Sequence, residues 1–133
     1  MALFRSRQIT IGIARPLDVV YPFLAKPENF VRWASGLGDG LKPLPNGNWQ
    51  AQTPGGPAEI HFSHGNQYGI LDHTVMAPDG TSVYMPMRAY ANGDGTEIVV
   101  TLFRQPTMLS EEFERDAETV GRDLLALKTL LED

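Results

Sequence analysis

Apolar residues recur at steps of three and four near the end of the chain, which is the pattern of an amphipathic helix. The apolar stripe consists of Phe113, Ala117, Val120, Leu124, Leu127 and Leu131. Ser110 suits the N-cap position, and Glu111 and Glu112 follow it in the first turn, where carboxylates favour the positive end of the helix dipole. We therefore predict a long helix over 110–131, whose stripe must pack against another element.

Alternation of apolar and polar residues predicts strands in most of the remaining chain. The first strand covers 7–14, and Asn46-Gly47 indicates a hairpin between strands at 41–44 and 48–53. Turn residues such as Gly65-Asn66 separate further strands, which are expected at 59–64, 68–76, 81–91 and 96–104. Because every connection is short, the sheet is expected to be antiparallel.

Prolines mark two short helices between the first strand and the hairpin. Pro16 and Pro27 each suit the first turn of a helix. Pro22 shortens or kinks the first of the two, because a proline inside a helix removes a backbone donor. The glycine-rich run over 36–40 predicts a mobile loop.

The segment from Ala14 to Trp33 resembles the opening of the START-like helix-grip superfamily, also called SRPBCC, which includes polyketide cyclase/dehydrase and lipid-transport proteins. In that opening a proline starts the first helix, and a Pro-x-x-aromatic-x-x-Trp stretch, here Pro27, Phe30 and Trp33, forms the second. The resemblance covers nearly the whole chain. It implies an α+β fold in which an antiparallel sheet of six to seven strands wraps around a long C-terminal helix, with two short helices after the first strand. It also implies a single START-like ligand-binding domain over 1–133, with a cavity between sheet and helix.

Pairing the strands across their turns predicts which residues share the inner face of the sheet. Phe62 is placed opposite Ile70, Ile70 opposite Met87, and Met87 opposite Val100. The candidate ligand-binding residues taken from this register and from the family's cavity mouth are Trp33, Trp49, Phe62, His64, Asp72, Met85, Met87, Arg104 and Phe113.

Two charged residues stand out on this otherwise apolar face. Asp72 and Arg104 lie diagonally close in the predicted register. A buried carboxylate needs a partner, so the pair is interpreted either as a polar anchor or proton-transfer group in the cavity, or as a structural ion pair. A slip of one residue would exchange the two faces, and His73 and Arg88 would then take over the role.

Composition narrows the chemistry. The absence of cysteine excludes disulfides and thiolate metal sites. His61 and His64 are three residues apart, which places them on opposite faces of a strand, so no metal site and no cofactor are expected. Asp72 and His73 are adjacent and point to opposite faces as well, so they cannot form an orienting dyad.

The net charge of −5 comes from the C-terminal helix, since 110–133 carries eight acids and three bases and the rest of the chain is balanced. No basic stripe is present to neutralise phosphates, so nucleic acid is not an expected partner. No apolar run reaches about 18 residues, so membrane insertion is not expected. The N-terminus lacks the apolar segment of a secretory leader, and a cytoplasmic location is expected.

The leading hypothesis is a protein that binds a small apolar or lipid-like molecule in the cavity. The alternative is a polyketide cyclase- or dehydratase-like enzyme that moves a proton with Asp72 or a histidine of the cavity. The outer sheet face is also a possible homodimer surface, because its central part is apolar. The residues of this outer patch are Leu71, Val75, Tyr84, Tyr90, Val99 and Phe103.

Overall fold

The computed structural model describes residues 3–35 and 40–133. Most of the loop predicted at 36–40 therefore lies outside the described residues. Within these ranges there are three helical segments: α1 over Leu17–Leu24, a 3₁₀ helix over Pro27–Arg32, and α2 over Ser110–Glu132. The strands are β1 Ser6–Ile13, β2 Leu41–Pro43, β3 Trp49–Thr53, β4 Gly56–Phe62, β5 His73–Met76, β6 Ser82–Met85, β7 Met87–Asn92 and β8 Gly95–Phe103.

All strand pairs are antiparallel and fall into two hydrogen-bonded groups, ordered β1-β8-β7 and β2-β3-β4-β5-β6. The groups meet at Pro86, which separates β6 from β7 and cannot donate a backbone hydrogen bond. The Pro86 carbonyl still accepts from the Thr101 N–H at 2.9 Å. β6 and β7 thus behave as one kinked strand, and the predicted α+β helix-grip fold, with two short helices after the first strand, is confirmed.

The apolar stripe of α2 packs against the inner face of the sheet as predicted. Leu124 and Leu127 are almost completely buried and join a core that includes Ile13 and Ile98, while Phe113 anchors a second cluster. The predicted N-cap is wrong by one residue, because Ser110 is already helical and Leu109 precedes it. No helix in the described parts of the chain is long and apolar enough to cross a membrane.

The last turn of α2 is fastened to the end of β1. The Arg15 guanidinium donates to the Leu131 carbonyl at 2.6 Å, which satisfies one of the free carbonyls at the helix end. The Glu132 carboxylate accepts from the Ala14 N–H at 2.7 Å and from Lys128 at 2.6 Å. Near the other end of α2, Glu114 pairs with two arginines that flank the start of β1, Arg5 and Arg7.

The register of β5 differs from the prediction. Met87 lies opposite Val100, as predicted, but Phe62 lies opposite His73 rather than Ile70. The predicted turn at Gly65-Asn66 is in fact a longer connection between β4 and β5. The consequence is that His73 and Val75 face α2, and the neighbouring Asp72 does not.

The Asn66 side chain organises this connection. Its Oδ1 accepts from the N–H groups of Tyr68 and Ile70 at 2.9 and 3.1 Å, and its Nδ2 donates to the Ile70 carbonyl at 3.0 Å. Its own N–H donates to the Tyr21 hydroxyl of α1 at 2.9 Å. Ile70 consequently forms its bridge with Arg88 and not with Met87.

The same change shrinks the apolar patch predicted on the outer face. Val75 lines the interior and Leu71 packs against the main core, so both predicted patch positions are wrong. Tyr84 and Tyr90 remain about half exposed. The homodimer stays a prediction.

We predict that Leu124→Ala lowers the free energy of unfolding by about 2–5 kcal/mol, because it opens a cavity in the main core. Glu118→Ala, on the exposed face of the same helix, is the matched control and should change stability by less than about 0.5 kcal/mol. Denaturant titration of both variants tests which face of α2 is buried. Equal unfolding midpoints for the two variants would contradict the burial of the face that carries Leu124.

A close backbone approach leaves no room for a side chain at Gly69. Its φ is +70°, and a Cβ there would lie 1.9 Å from the Ala89 carbonyl oxygen. The Ala89 N–H donates a hydrogen bond to the Gly69 carbonyl oxygen at 2.9 Å, which holds the two backbones together. Gly69→Ala should therefore destabilise the fold by more than the roughly 1–3 kcal/mol of backbone strain alone.

Gly121→Ala is the control for this prediction, since it makes the same change inside α2, where the added Cβ meets no atom within 4 Å beyond the local helix backbone. It should stabilise the protein by about 1 kcal/mol through helix propensity. Thermal unfolding of the two variants should shift in opposite directions. A stable Gly69→Ala protein would contradict the close approach to Ala89.

Candidate ligand cavity

A hollow of about 150 Å³ lies between the inner face of the sheet and α2. The 3₁₀ helix and the residues after it close a third side. The walls are mainly apolar, with His73, Asp123 and Ser35 as polar exceptions. The hollow is lined by Phe30, Trp33, Ala34, Ser35, His73, Val75, Met85, Met87, Val100, Val120 and Asp123.

A second hollow of about 210 Å³ lies further along the same gap between sheet and helix. Met85 and Val120 line both hollows and therefore stand at their boundary. These two side chains also pack against both core clusters. Asp116 lines the second hollow, where desolvation and the nearby Glu112 carboxylate raise the pKa of Asp116.

His73 is held firmly in the wall of the first hollow. It begins β5, lies opposite Met85 in β6, and is only 5% exposed. Its ring packs edge-on against Phe30, with the centroids 5.4 Å apart, and next to Phe62 at 5.9 Å. Its Nδ1 lies 3.3 Å from the Leu71 carbonyl oxygen.

Burial decides the charge of this histidine. Desolvation lowers the pKa of His73 below its ordinary value of 6.5, and the Leu71 carbonyl and the Asp72 carboxylate only partly oppose the effect. The imidazole is therefore neutral at pH 7. A neutral imidazole in an apolar wall can form a hydrogen bond with a molecule in the hollow, or can accept a proton from it.

Among the described residues that line the first hollow, Asp123 is the other titratable side chain. It projects from α2, and its Oδ2 accepts from the Ser35 N–H at 3.2 Å. This bond connects α2 with the segment that follows the 3₁₀ helix. Asp123 thus lies where that segment closes the hollow.

The structure brings only some of the predicted ligand-binding residues together. Trp33, Met85 and Met87 line the first hollow. Trp49 and His64 instead line an open surface groove beside the β2–β3 hairpin, and Phe62 contributes to that groove while its ring packs edge-on against Phe30.

Two further predicted residues lie away from the first hollow. Phe113 is completely buried in the second core cluster, with the Arg5 guanidinium over its ring. Arg104 follows β8 and donates from Nε to the Met108 carbonyl at 2.9 Å.

The predicted pair of Asp72 with Arg104 is wrong. Asp72 faces outward, where its Oδ1 accepts from the Met87 N–H at 2.9 Å and its Oδ2 from the Tyr84 hydroxyl at 2.7 Å. Arg88 donates to both oxygens, from Nε at 3.1 Å and from Nη2 at 2.8 Å. Arg88 is therefore the ion-pair partner of Asp72 and points away from the hollow.

His73 is the residue that the predicted register missed. The alternative with a one-residue slip assigned the inner position to His73, as found, but it also assigned Arg88 to the inner face, which is wrong because Arg88 pairs with Asp72 on the outside. The prediction that Asp72 and His73 face opposite ways is confirmed. Within the described residues, no group of three or more potential metal ligands is found.

Comparisons with known proteins support the fold. No family model and no curated protein sequence matches the chain. Among solved structures, a START superfamily protein from Mycobacterium smegmatis is 13% identical, with a TM-score of 0.73 over 96% of this chain and 97% of that one. Ara h 8.0201 is 12% identical, with a TM-score of 0.69 over 97% and 98% of the two chains.

Two other matches carry more specific descriptions. The Aha1 dimer from Colwellia psychrerythraea is 13% identical, with a TM-score of 0.73 over 96% of both chains. DynU16, a protein of the dynemicin biosynthetic locus, is 14% identical with a TM-score of 0.70; the match covers 96% of this chain but 47% of DynU16. The chain therefore has the START-like helix-grip fold, as the resemblance of its opening segment implied.

The hydrogen bonds to Asp72 predict a specific pH dependence of stability. Burial alone would raise the pKa of Asp72, but the bonds from Arg88, Met87 and Tyr84 together hold it below its ordinary value. A depressed pKa in the folded state means that the stabilisation is complete above about pH 4 and is lost as the pH falls through the folded-state pKa.

We therefore predict that Asp72→Asn lowers the free energy of unfolding by about 1–3 kcal/mol at pH 7. The difference from the wild type should narrow as the pH falls below about 4, because the wild-type carboxylate then takes up a proton. Urea titrations across this range measure it, with Asp94→Asn in the exposed β7–β8 turn as the control. A difference that does not depend on pH would contradict the charged-acceptor role.

Proposed function

We propose that this chain is a single domain over 1–133 that binds a small, mainly apolar molecule in the hollow between the sheet and α2. The observation that carries the proposal is the first hollow itself, a partly open and mainly apolar space between the sheet and α2 with one buried neutral histidine in its wall.

The volume fits the proposal. Dry apolar cavities of about 150 Å³ are large enough to bind benzene. The first hollow is of that size, and a single-ring molecule is its natural occupant. Apolar transfer supplies the driving force, at roughly 25 cal/mol per Å² removed from water.

A longer, lipid-like occupant would extend into the second hollow. Met85 and Val120 line both spaces. Methionine has three rotatable bonds and adapts to irregular neighbours, so rotation of Met85 is a plausible way to join them. The START-like fold of the neighbours supports a binding function in general and names no ligand for this chain.

A second candidate function, proton transfer on a bound ketone, is favoured by His73. Such catalysis needs a base within hydrogen-bond reach of the substrate, together with a donor that stabilises the developing enolate. The neutral imidazole in the wall of the hollow meets the first requirement. Simple binding is preferred because it requires only the space and its apolar lining.

Filling the hollow tests the proposal. Toluene should bind the wild type with a dissociation constant of about 1 mM or below, and its titration should shift the methyl NMR signals of Met85 and Met87. Val75→Phe places a larger side chain in the hollow and should abolish these shifts. Val99→Phe makes the same change on the outward position next to Val100 in β8 and should leave them intact.

Two results would defeat the proposed function. One is a wild-type protein whose Met85 and Met87 signals do not respond to toluene. The other is a folded Val75→Phe protein that binds toluene as the wild type does.

A further inference from the structure

We infer that the cavity selects a neutral ligand carrying a hydroxyl group, which donates its hydrogen to Nε2 of His73. This inference rests on the proposed function, because it specifies the chemistry of a molecule bound in the same hollow. It depends on which of the two imidazole nitrogens carries the hydrogen.

The Leu71 carbonyl fixes the tautomer. A carbonyl oxygen can only accept, so the Nδ1 of His73, 3.3 Å away, must be the nitrogen that carries the hydrogen. Because burial keeps the ring neutral, the second nitrogen then has no hydrogen and presents a lone pair. Nε2 is therefore a hydrogen-bond acceptor.

The surroundings keep this acceptor in place. Phe30 and Phe62 pack on the ring, and the strand pairing with Phe62 and Met85 fixes the backbone of His73. In the described parts of the chain, Nε2 has no hydrogen-bond partner. Every fully buried side-chain nitrogen or oxygen there has a partner, so the unpartnered Nε2 must be accessible. Because His73 lines the first hollow, Nε2 is available to a ligand there.

An acceptor in an apolar wall discriminates between ligands of the same shape. A hydroxyl group satisfies it, whereas an ether or ketone oxygen brings lone pairs against it and leaves it unpaired. Asp123, the other titratable side chain among the described residues that line the hollow, is also an acceptor in this structure, so it offers a ligand carboxylate no hydrogen-bond donor. A mainly apolar molecule with a neutral hydroxyl is the class that fits both.

Phenol and anisole test the inference, because they differ mainly by a methyl group that removes the donor. Phenol should bind the wild type about tenfold more tightly than anisole, the difference expected for one hydrogen bond. Titrations followed on the Met85 and Met87 methyl signals give both dissociation constants. His73→Phe keeps the ring and removes the acceptor, so the ratio should fall to about one.

His64→Phe is the matched control, since it makes the same change at an exposed histidine outside the hollow and should preserve the preference for phenol. The tautomer can be read without any variant, from the imidazole nitrogen signals of His73 in the wild type. They should show hydrogen on Nδ1.

Three results would overturn the inference: equal binding of phenol and anisole by the wild type, a preference for phenol that survives in a folded His73→Phe protein, or hydrogen on Nε2. Toluene separates this failure from that of the proposed function. If toluene binds while phenol shows no advantage over anisole, the cavity binds apolar molecules and the role of His73 is wrong. If toluene, phenol and anisole all fail to bind, both the proposed function and the inference about His73 fail.

Discussion

The carboxylate of Asp72 fixes the alignment on which the interior depends. The two hydrogen-bonded groups of strands meet at Pro86, where a backbone donor is missing, and the Asp72 side chain spans this point by accepting from the Met87 N–H, the Tyr84 hydroxyl and Arg88. Because successive residues of a strand point to opposite faces, fastening Asp72 on the outside directs His73 to the inside. The outward bonds of Asp72 and the connection held by Asn66 therefore act together to place His73 in the wall of the hollow.

The hollow itself reflects how the helix meets a curved sheet. The stripe of α2 reaches the sheet firmly at two places, around Leu124 and around Phe113, and each has its own core cluster. Ile9, Met85 and Val120, all partly buried, pack against both clusters, and the two hollows lie on either side of Met85 and Val120. Unfilled volume costs dispersion contacts, so a chain that retains it gives up stability for the capacity to hold something.

The parts of the fold that follow from local periodicity could be read from the sequence. The stripe ending at Leu131 and the pairing of Met87 with Val100 depend only on spacing and short turns. Local periodicity could not show which residues of β5 point toward α2, because that depends on the long connection before β5, which Asn66 holds. A single asparagine that bonds to several backbone groups looks like an ordinary turn residue in the sequence, and the error moved Asp72 into the cavity and His73 out of it.

The fastening of α2 at both ends also determines how a molecule could exchange with the interior. Arg15 and Glu132 hold the last turn, and Glu114 is tied to the start of β1, so the helix is poorly placed to swing outward. On the opposite side, the segment after the 3₁₀ helix is joined to α2 by the bond from the Ser35 N–H to Asp123. Under the proposed function, a molecule would therefore enter or leave more easily beside Ser35, where one hydrogen bond holds the described end of that segment, than by displacement of α2.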